Sequence, residues 1–465
     1  MTDWRVQAMS DTLKFQPTTS SKRGNWTGHL GFILAATGSA IGLGNIWKFP
    51  YITGDYGGGA FVLVYLICVV IVGLPLMVAE LIVGRRTQEN PVGAFQRLHK
   101  TGSVWQATGW LGVASGFLIL SFYSIVAGWA LAYIFKAIGG FAGTSEQIQA
   151  EFGTLVTSPG QSIFWHSLFM LMCVGIVIGG VKRGIERWSK ILMPTLFAIL
   201  LGLMFYGLFF TNGGMQALNF LFKPDFSKLT AEGVLSALGH AFFTLSLGMG
   251  CMITYGSYMK RGTSLTRDAI AVSLLDTLVA LVAGVAIFSM VFHYGMEPGQ
   301  SVGLIFKTLP VLFADIGPWI SVPFFVLLTF AAVTSGISLL EVVVSYFVDE
   351  RKWSRISATL VMGASIWLVG VCSAMSSWTV PFTDGRGWFD FFDVLTTNYM
   401  LPIGGFLTCL FVAYVMKDAD RADEFGSRGT LYMGLRFFLK YITPIAVFVV
   451  ILHGLELLPF MDYGN

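Results

Sequence analysis

Gly38-Ser39-Ala40-Ile41-Gly42-Leu43-Gly44-Asn45 and Thr244-Leu245-Ser246-Leu247-Gly248-Met249-Gly250 are the two stretches on which the fold turns. Each interrupts an apolar run that otherwise reads as one continuous helix. Glycine costs about 1 kcal/mol in a helix interior, and pairs of glycines flanked by Ser, Thr or Asn weaken the ladder further. One such stretch is equally well read as close helix packing through small residues. Two stretches in runs one and six are the pattern of a five-helix unit repeated with inverted topology, its ligand held at broken helices near the membrane midplane. Unwound backbone is tolerated at that depth only where it lines a cavity. There the amides of half-helix N-termini favour a carboxylate, and freed carbonyls favour a cation.

The rest of the chain agrees. Of 465 residues, 55% are hydrophobic and 12% are charged, with a mean hydropathy of +0.70. Ordinary soluble domains carry about 25% charge. A helix needs about 20 apolar residues to cross a bilayer, and eleven runs qualify: about 28–52, 57–84, 104–138, 162–180, 186–210, 233–259, 266–294, 319–349, 353–375, 388–416 and 430–455. Long runs without alternation exclude a β-barrel. The fold class is an all-α polytopic membrane protein with about 11 transmembrane helices. Its parts are an N-terminal segment 1–27, a first five-helix repeat 28–210, a second, inverted repeat 233–416, and an additional helix with the C-terminus, 430–465. The polar segment before residue 28 is followed by no cleavage-site pattern, so the first run is kept as a mature span. The segment 295–318 reads as an outer re-entrant hairpin or lid, and Lys417–Arg428 as a solvated inner loop.

Lys and Arg fall in alternate loops, with Arg85, Arg86, Arg97 and Lys100 in one and Lys182, Arg183, Arg187 and Lys190 in the next, whereas 53–57 and 139–161 have none. The positive-inside rule puts the N-terminus in the cytoplasm, and eleven spans put the C-terminus outside the cell membrane. A net charge of +3 gives no nucleic-acid footprint. The five cysteines sit in apolar runs without metal-ligand spacing. No HExxH, GxSxG or P-loop lysine motif is present, so no enzyme is expected.

The motifs are specific. GSAIGLGNIWKFP (38–50), YGGGAF (56–61) and GLPLMVAELIVGR (73–85) resemble the opening signature of the neurotransmitter:sodium symporter family, solute carrier 6. FFTLSLGMGCMITYGSY (242–258) resembles its sixth span and AAVTSGIS (331–338) its eighth. The resemblance is to the bacterial amino-acid transporter branch, with the fold first seen in the bacterial leucine transporter. It implies a sodium-coupled secondary active symporter working by alternating access, with two Na⁺ sites and a small-molecule amino-acid substrate.

A hard cation wants about five or six oxygen ligands. The resemblance maps the first sodium site onto the Ala40 carbonyl, Asn45, Thr244 and Asp276, completed by the substrate carboxylate. The second maps onto the carbonyls of Gly38, Ile41 and Ala331 with the hydroxyls of Thr334 and Ser335, for which ordinary helix back-bonding is the competing reading. Asp276 lies inside the apolar run Val272–Ile287. A carboxylate there costs roughly 3 kcal/mol and is functional by default. One turn on, Ala280 has no hydroxyl or carboxylate, so Asp276 is expected to supply the balancing negative charge without chloride. A protonated Asp bonded between helices is the alternative.

The substrate pocket implied by the family comprises Ser39, Ala40, Gly42, Leu43, Gly44, Ile119, Tyr123, Phe243, Thr244, Ser246, Met249, Ser335 and Leu339. Amides around Ser39, Ala40, Leu43 and Gly44, with the Tyr123 hydroxyl, suit a carboxylate. The Phe243 and Ser246 carbonyls suit an ammonium. Amine transporters of the family carry an Asp at the position of Gly42, so Gly42 argues for an α-amino acid, neutral and hydrophobic or aromatic. Glu80 is expected to accept hydrogen bonds from amides at the breaks. Lys48, where the family has Arg, and Asp393 form an expected outer gate, with His240 beside it as a neutral, hydrogen-bonded histidine or a pH-sensitive one. Arg23, Trp26, Tyr258 and Asp349 match the family's cytoplasmic latch. A non-transporting amino-acid sensor and a proton-coupled variant are the other readings.

Overall fold

In the computed structural model, residues 24–458 are described, apart from 261, 299–302, 376, 382, 384 and 426–427. Helices run through α1 (His29–Ala40), α2 (Gly44–Asp55), α3 (Gly59–Thr87), α4 (Gln106–Gly139), α5 (Pro159–Ile178) and α6 (Val181–Phe210). The chain continues through α7 (Ala231–Thr244) and α8 (Cys251–Ser257). It ends with α9 (Leu265–His293), α10 (Pro318–Asp349), α11 (Arg355–Ala374), α12 (Trp388–Val415), α13 (Asp418–Phe425) and α14 (Thr430–Gly454). Among the described residues β structure is limited to isolated bridges. Nine of these helices are each long and apolar enough to cross a membrane, and the bent pair α1–α2 makes ten. The sixth run of the sequence is divided between α7 and α8, each too short to count as a span by itself.

Both breaks fall where the sequence places them. Ile41 ends α1 in extended backbone, with ψ 102°, and α2 departs at 50°. The second break runs through left-handed backbone at Ser246 (φ 54°), Gly248 (φ 78°) and Gly250 (φ 75°). Gly248 is obligatory on two counts. Its φ is positive, and a Cβ there would lie 2.2 Å from the Leu401 carbonyl oxygen of α12.

α4 and α10, long and largely buried, pack on each other and form the wall that the two breaks face. A helical stretch over Leu304–Thr308 and Leu309–Ile316 occupies most of the segment expected to form an outer hairpin. The Phe306 carbonyl there accepts from the Tyr133 hydroxyl at 2.9 Å, and its ring packs 6.2 Å from Trp47.

The stretch Lys417–Arg428 departs from expectation. It contains α13, docked under α3 on the side of the basic loops. Arg421 donates to the Val412 and Ala413 carbonyls, capping α12, and Glu424 pairs with Arg85 at 2.6 Å with both side chains buried. Orphan carbonyls at a helix end attract a cation, and that docking turns a charged segment into a packed helix.

Candidate functional site

The two breaks meet. Ser246 Oγ donates to the Ser39 carbonyl at 2.8 Å, and Ser335 Oγ of α10 donates to the same carbonyl at 3.2 Å. The thirteen pocket residues named from the sequence all line one cavity at this junction, and Ser338 is the one lining residue not anticipated. The cavity is small, ≈ 30 Å³. Leu43 donates its amide to the Tyr123 hydroxyl at 3.3 Å. The Phe243 carbonyl already accepts the Ser246 amide at 3.1 Å, which leaves it one lone pair. At Gly42 a Cβ would sit 2.6 Å from Ser335 Oγ and 3.2 Å from the Tyr123 hydroxyl, so this position belongs to the cavity.

Beside it, Asp276 is wholly buried in α9. Its Oδ1 accepts from Asn45 Nδ2 at 2.7 Å, and its two oxygens lie 3.1 and 3.2 Å from the Thr244 hydroxyl. The Tyr65 hydroxyl, which had not been singled out, stands 3.4 Å from Oδ2. Asn45 Oδ1 accepts the Gly42 amide at 3.1 Å. Asn45, Thr244 and Asp276 therefore form one hydrogen-bonded oxygen cluster, and Ala40 lines the adjoining cavity.

The residues of the second expected cluster lie close together. Thr334 Oγ1 bonds the Ala331 carbonyl at 3.0 Å. Ser335 Oγ lies 3.4 Å from the Ile41 carbonyl. A Cβ on Gly38 would stand 3.1 Å from Thr334 Cβ, so α1 and α10 touch here. Thr334 also back-bonds to Phe330 at 3.1 Å, as the competing reading requires.

Glu80 is buried in α3, and its Oε1 accepts the Gly248 amide at 2.7 Å. The carboxylate replaces the helical partner that the second break removes.

The residues expected to form the gates are less uniform. Lys48 and Asp393 make no ion pair in this structure: Lys48 Nζ lies 5.1 Å over the Phe243 ring, and Asp393 Oδ1 accepts from Thr397 at 3.0 Å. His240 is buried against Tyr65 and Phe49, with ring centroids at 5.4 and 5.9 Å. Among the described residues neither of its ring nitrogens has a hydrogen-bond partner, so the hydrogen bond expected of this histidine is not made.

Among the residues of the expected latch, Trp26 Nε1 donates to the Tyr255 carbonyl at 3.0 Å, its amide to the Tyr258 carbonyl at 3.2 Å, and its ring packs 5.9 Å from that of Tyr258. Asp349 is the last residue of α10; Arg23 lies outside the described residues. The Tyr258 hydroxyl reaches Glu341 Oε1 at 2.5 Å, and Arg355 pairs with the same buried carboxylate. Glu341 was not anticipated, although a lone carboxylate in SLLEVVVSYFV (338–348) carries the same signal as Asp276.

The model of the sodium:neurotransmitter symporter family matches residues 23–142 and 141–465. An uncharacterized sodium-dependent transporter of Bacillus subtilis, YhdH, is 38% identical over 447 residues, covering 94% of this chain and 98% of that protein. One of Haemophilus influenzae is 30% identical over 455 residues, covering 94% and 99%. Among solved structures, MhsT in complex with L-phenylalanine superposes with a TM-score of 0.86 at 42% identity, covering 93% of this chain and all of that one. The chain belongs to the sodium:neurotransmitter symporter family: it is a multi-pass membrane protein and a sodium-coupled transporter of a small molecule, not an enzyme.

Proposed function

We propose that this chain imports a neutral, hydrophobic or aromatic α-amino acid with sodium, by alternating access around the junction of the two breaks, and without a chloride requirement. The observation that carries the reading is Asp276, a buried carboxylate facing Asn45 and Thr244 beside the cavity. A hard cation bound among these oxygens neutralises it, and the substrate carboxylate joins the same ion, so cation and substrate bind together. Ala40 completes the first site. Gly38, Ile41, Ala331, Thr334 and Ser335 form the second, which ties α1 to α10.

The missing Cβ at Gly42 leaves room for a substrate carboxylate, and Ile119, Met249 and Leu339 offer an apolar surface to its side chain. L-phenylalanine, the ligand of the similar MhsT, has this chemistry. The pocket must widen to take it, and Met249 is the most adaptable wall. Lys48 and Asp393 close the outer side when they approach; Arg23, Trp26, Tyr258 and Asp349 close the inner side. The N-terminus lies in the cytoplasm and the C-terminus outside.

The test is uptake of radiolabelled Phe, Leu, Met, Tyr, Trp, Ala and Gly into proteoliposomes, with Na⁺, K⁺ or choline outside and chloride or gluconate as the anion. Concentrative, Na⁺-dependent uptake of the apolar substrates in both anions is expected. Binding without uptake makes the protein a sensor and ends this reading.

A further inference from the structure

The inner half of the first span, α1, is a short helix on a hinge. It has twelve residues, ends at the extended Ile41, and lacks a side-chain N-cap at Gly28. Its inner end is held by two carboxylates from different helices.

Glu186 of α6 takes the Thr27 amide on Oε2 at 2.9 Å, and the Thr27 hydroxyl on Oε1. Lys190 braces that oxygen at 2.7 Å. A carboxylate at a helix N-terminus is favoured by the helix dipole. The approach is close: a Cβ on Gly31 would fall 2.2 Å from Glu186 Oε1. Asp268 of α9 takes the second hold. Its Oδ1 meets His29 Nε2, and its Oδ2 is buried with no hydrogen-bond partner among the described residues. The His29 side chain is 40% exposed and that of Asp268 fully buried. Neither carboxylate belongs to the sodium or substrate clusters.

We infer that Glu186 and Asp268 are positioning residues of the transport step, clamping the inner end of α1 against α6 and α9, and that His29 makes the clamp respond to pH on the inner side. The inference rests on the symporter reading, because a clamp on α1 matters only if α1 swings away to release its cargo.

The sign follows from the charges. An imidazole changes charge between about pH 5 and 8. When His29 is protonated it forms an ion pair with a buried carboxylate; when neutral it keeps at most a hydrogen bond. The clamp is therefore tight at low pH and loosens as pH rises. The other charged and titratable groups around this end are Arg267 of α9 and Arg85 of α3, both in electrostatic reach of Asp268, Lys190 with Glu186, and the Tyr255 and Tyr258 phenols of the loop-side half of span six. Arg85 is itself held by Glu424. His29 is the one imidazole among these groups.

The test measures where α1 sits. Spin labels on Leu30→Cys in α1 and Ile356→Cys in α11, both exposed positions, are placed in a background with the five native cysteines replaced. Distances are read by pulsed electron paramagnetic resonance in proteoliposomes without Na⁺, at pH 5.5 and 8.0. In the otherwise unsubstituted protein the swung-out fraction should rise about threefold or more between the two pH values. His29→Lys should keep it low at both, while His29→Gln and Asp268→Asn should keep it high at both. A wild-type fraction that ignores pH, or His29 variants that keep the wild-type profile, overturns the inference. Na⁺-dependent L-phenylalanine uptake is measured on the same samples. Uptake with flat distances overturns the clamp alone; no uptake with pH-dependent distances overturns the symporter reading alone.

Discussion

Replacing Asp276 by Asn keeps the shape of the side chain and removes its charge. In the native structure this carboxylate receives Asn45, Thr244 and Tyr65, and among the described residues it forms no ion pair with Lys, Arg or His. On the proposed function, a bound sodium ion balances its charge. At a separation of about 4 Å and an effective dielectric of about 20, one carboxylate attracts one sodium ion by about 4 kcal/mol. The variant loses most of that, and its new amide NH₂ also faces the Asn45 NH₂. With each 1.4 kcal/mol worth about tenfold, the sodium concentration for half-maximal L-phenylalanine binding should rise by about two to three orders of magnitude. The assay is scintillation proximity binding across a sodium series at constant ionic strength, in chloride and in gluconate. The native protein should bind equally in both anions. The variant should be weak in both, because Ala280 offers no hydroxyl to hold a chloride one turn away. A native protein that fails in gluconate, or a variant within about threefold of the native sodium dependence, would refute the charge-balance argument.

Three further outcomes follow from the packing. Gly42→Ala pushes a methyl to 2.6 Å from Ser335 Oγ and 3.2 Å from the Tyr123 hydroxyl; equilibrium binding of L-phenylalanine should weaken by more than about tenfold at an unchanged melting temperature. Glu80→Leu strands the buried Gly248 amide, a loss of about 1–3 kcal/mol that differential scanning fluorimetry should register as a lower midpoint, with Glu80→Gln milder because an amide oxygen still accepts. Glu341→Leu leaves the Arg355 guanidinium without its carboxylate, and because Arg355 is partly exposed the cost should be about 2 kcal/mol rather than the larger value of a fully buried pair. The double variant Glu341→Leu with Arg355→Leu should recover part of that midpoint, and no recovery would mean that Glu341 matters chiefly through Tyr258.

What could be read from the sequence was what the bilayer makes expensive. A glycine-rich break or an ionised side chain at the membrane centre costs enough that its presence alone marks a site, and on that logic the two breaks, Asp276 and Glu80 point to one place before any coordinates. The span boundaries follow from the same cost and fall within about five residues of the helices. Residues near the loops pay no such penalty, so their partners are set by docking rather than by composition. Five charges in the eight residues Asp418–Phe425 describe a solvated segment until Arg85 and Arg86 are found beneath it. His29 and Asp268 meet across 239 positions with no local pattern to announce it. Lys48 and Asp393 show a different limit: opposite charges tell which side chains can pair, but whether they do depends on the conformation, and here they do not. Glu341 obeys the expensive-residue rule and still lay outside every motif, because its partner Arg355 enters from the next helix, α11, at the loop side. A carboxylate paired in that way is stabilised by geometry that only the folded chain supplies, so cost identifies such a residue as significant while leaving open whether it binds cargo or holds the frame.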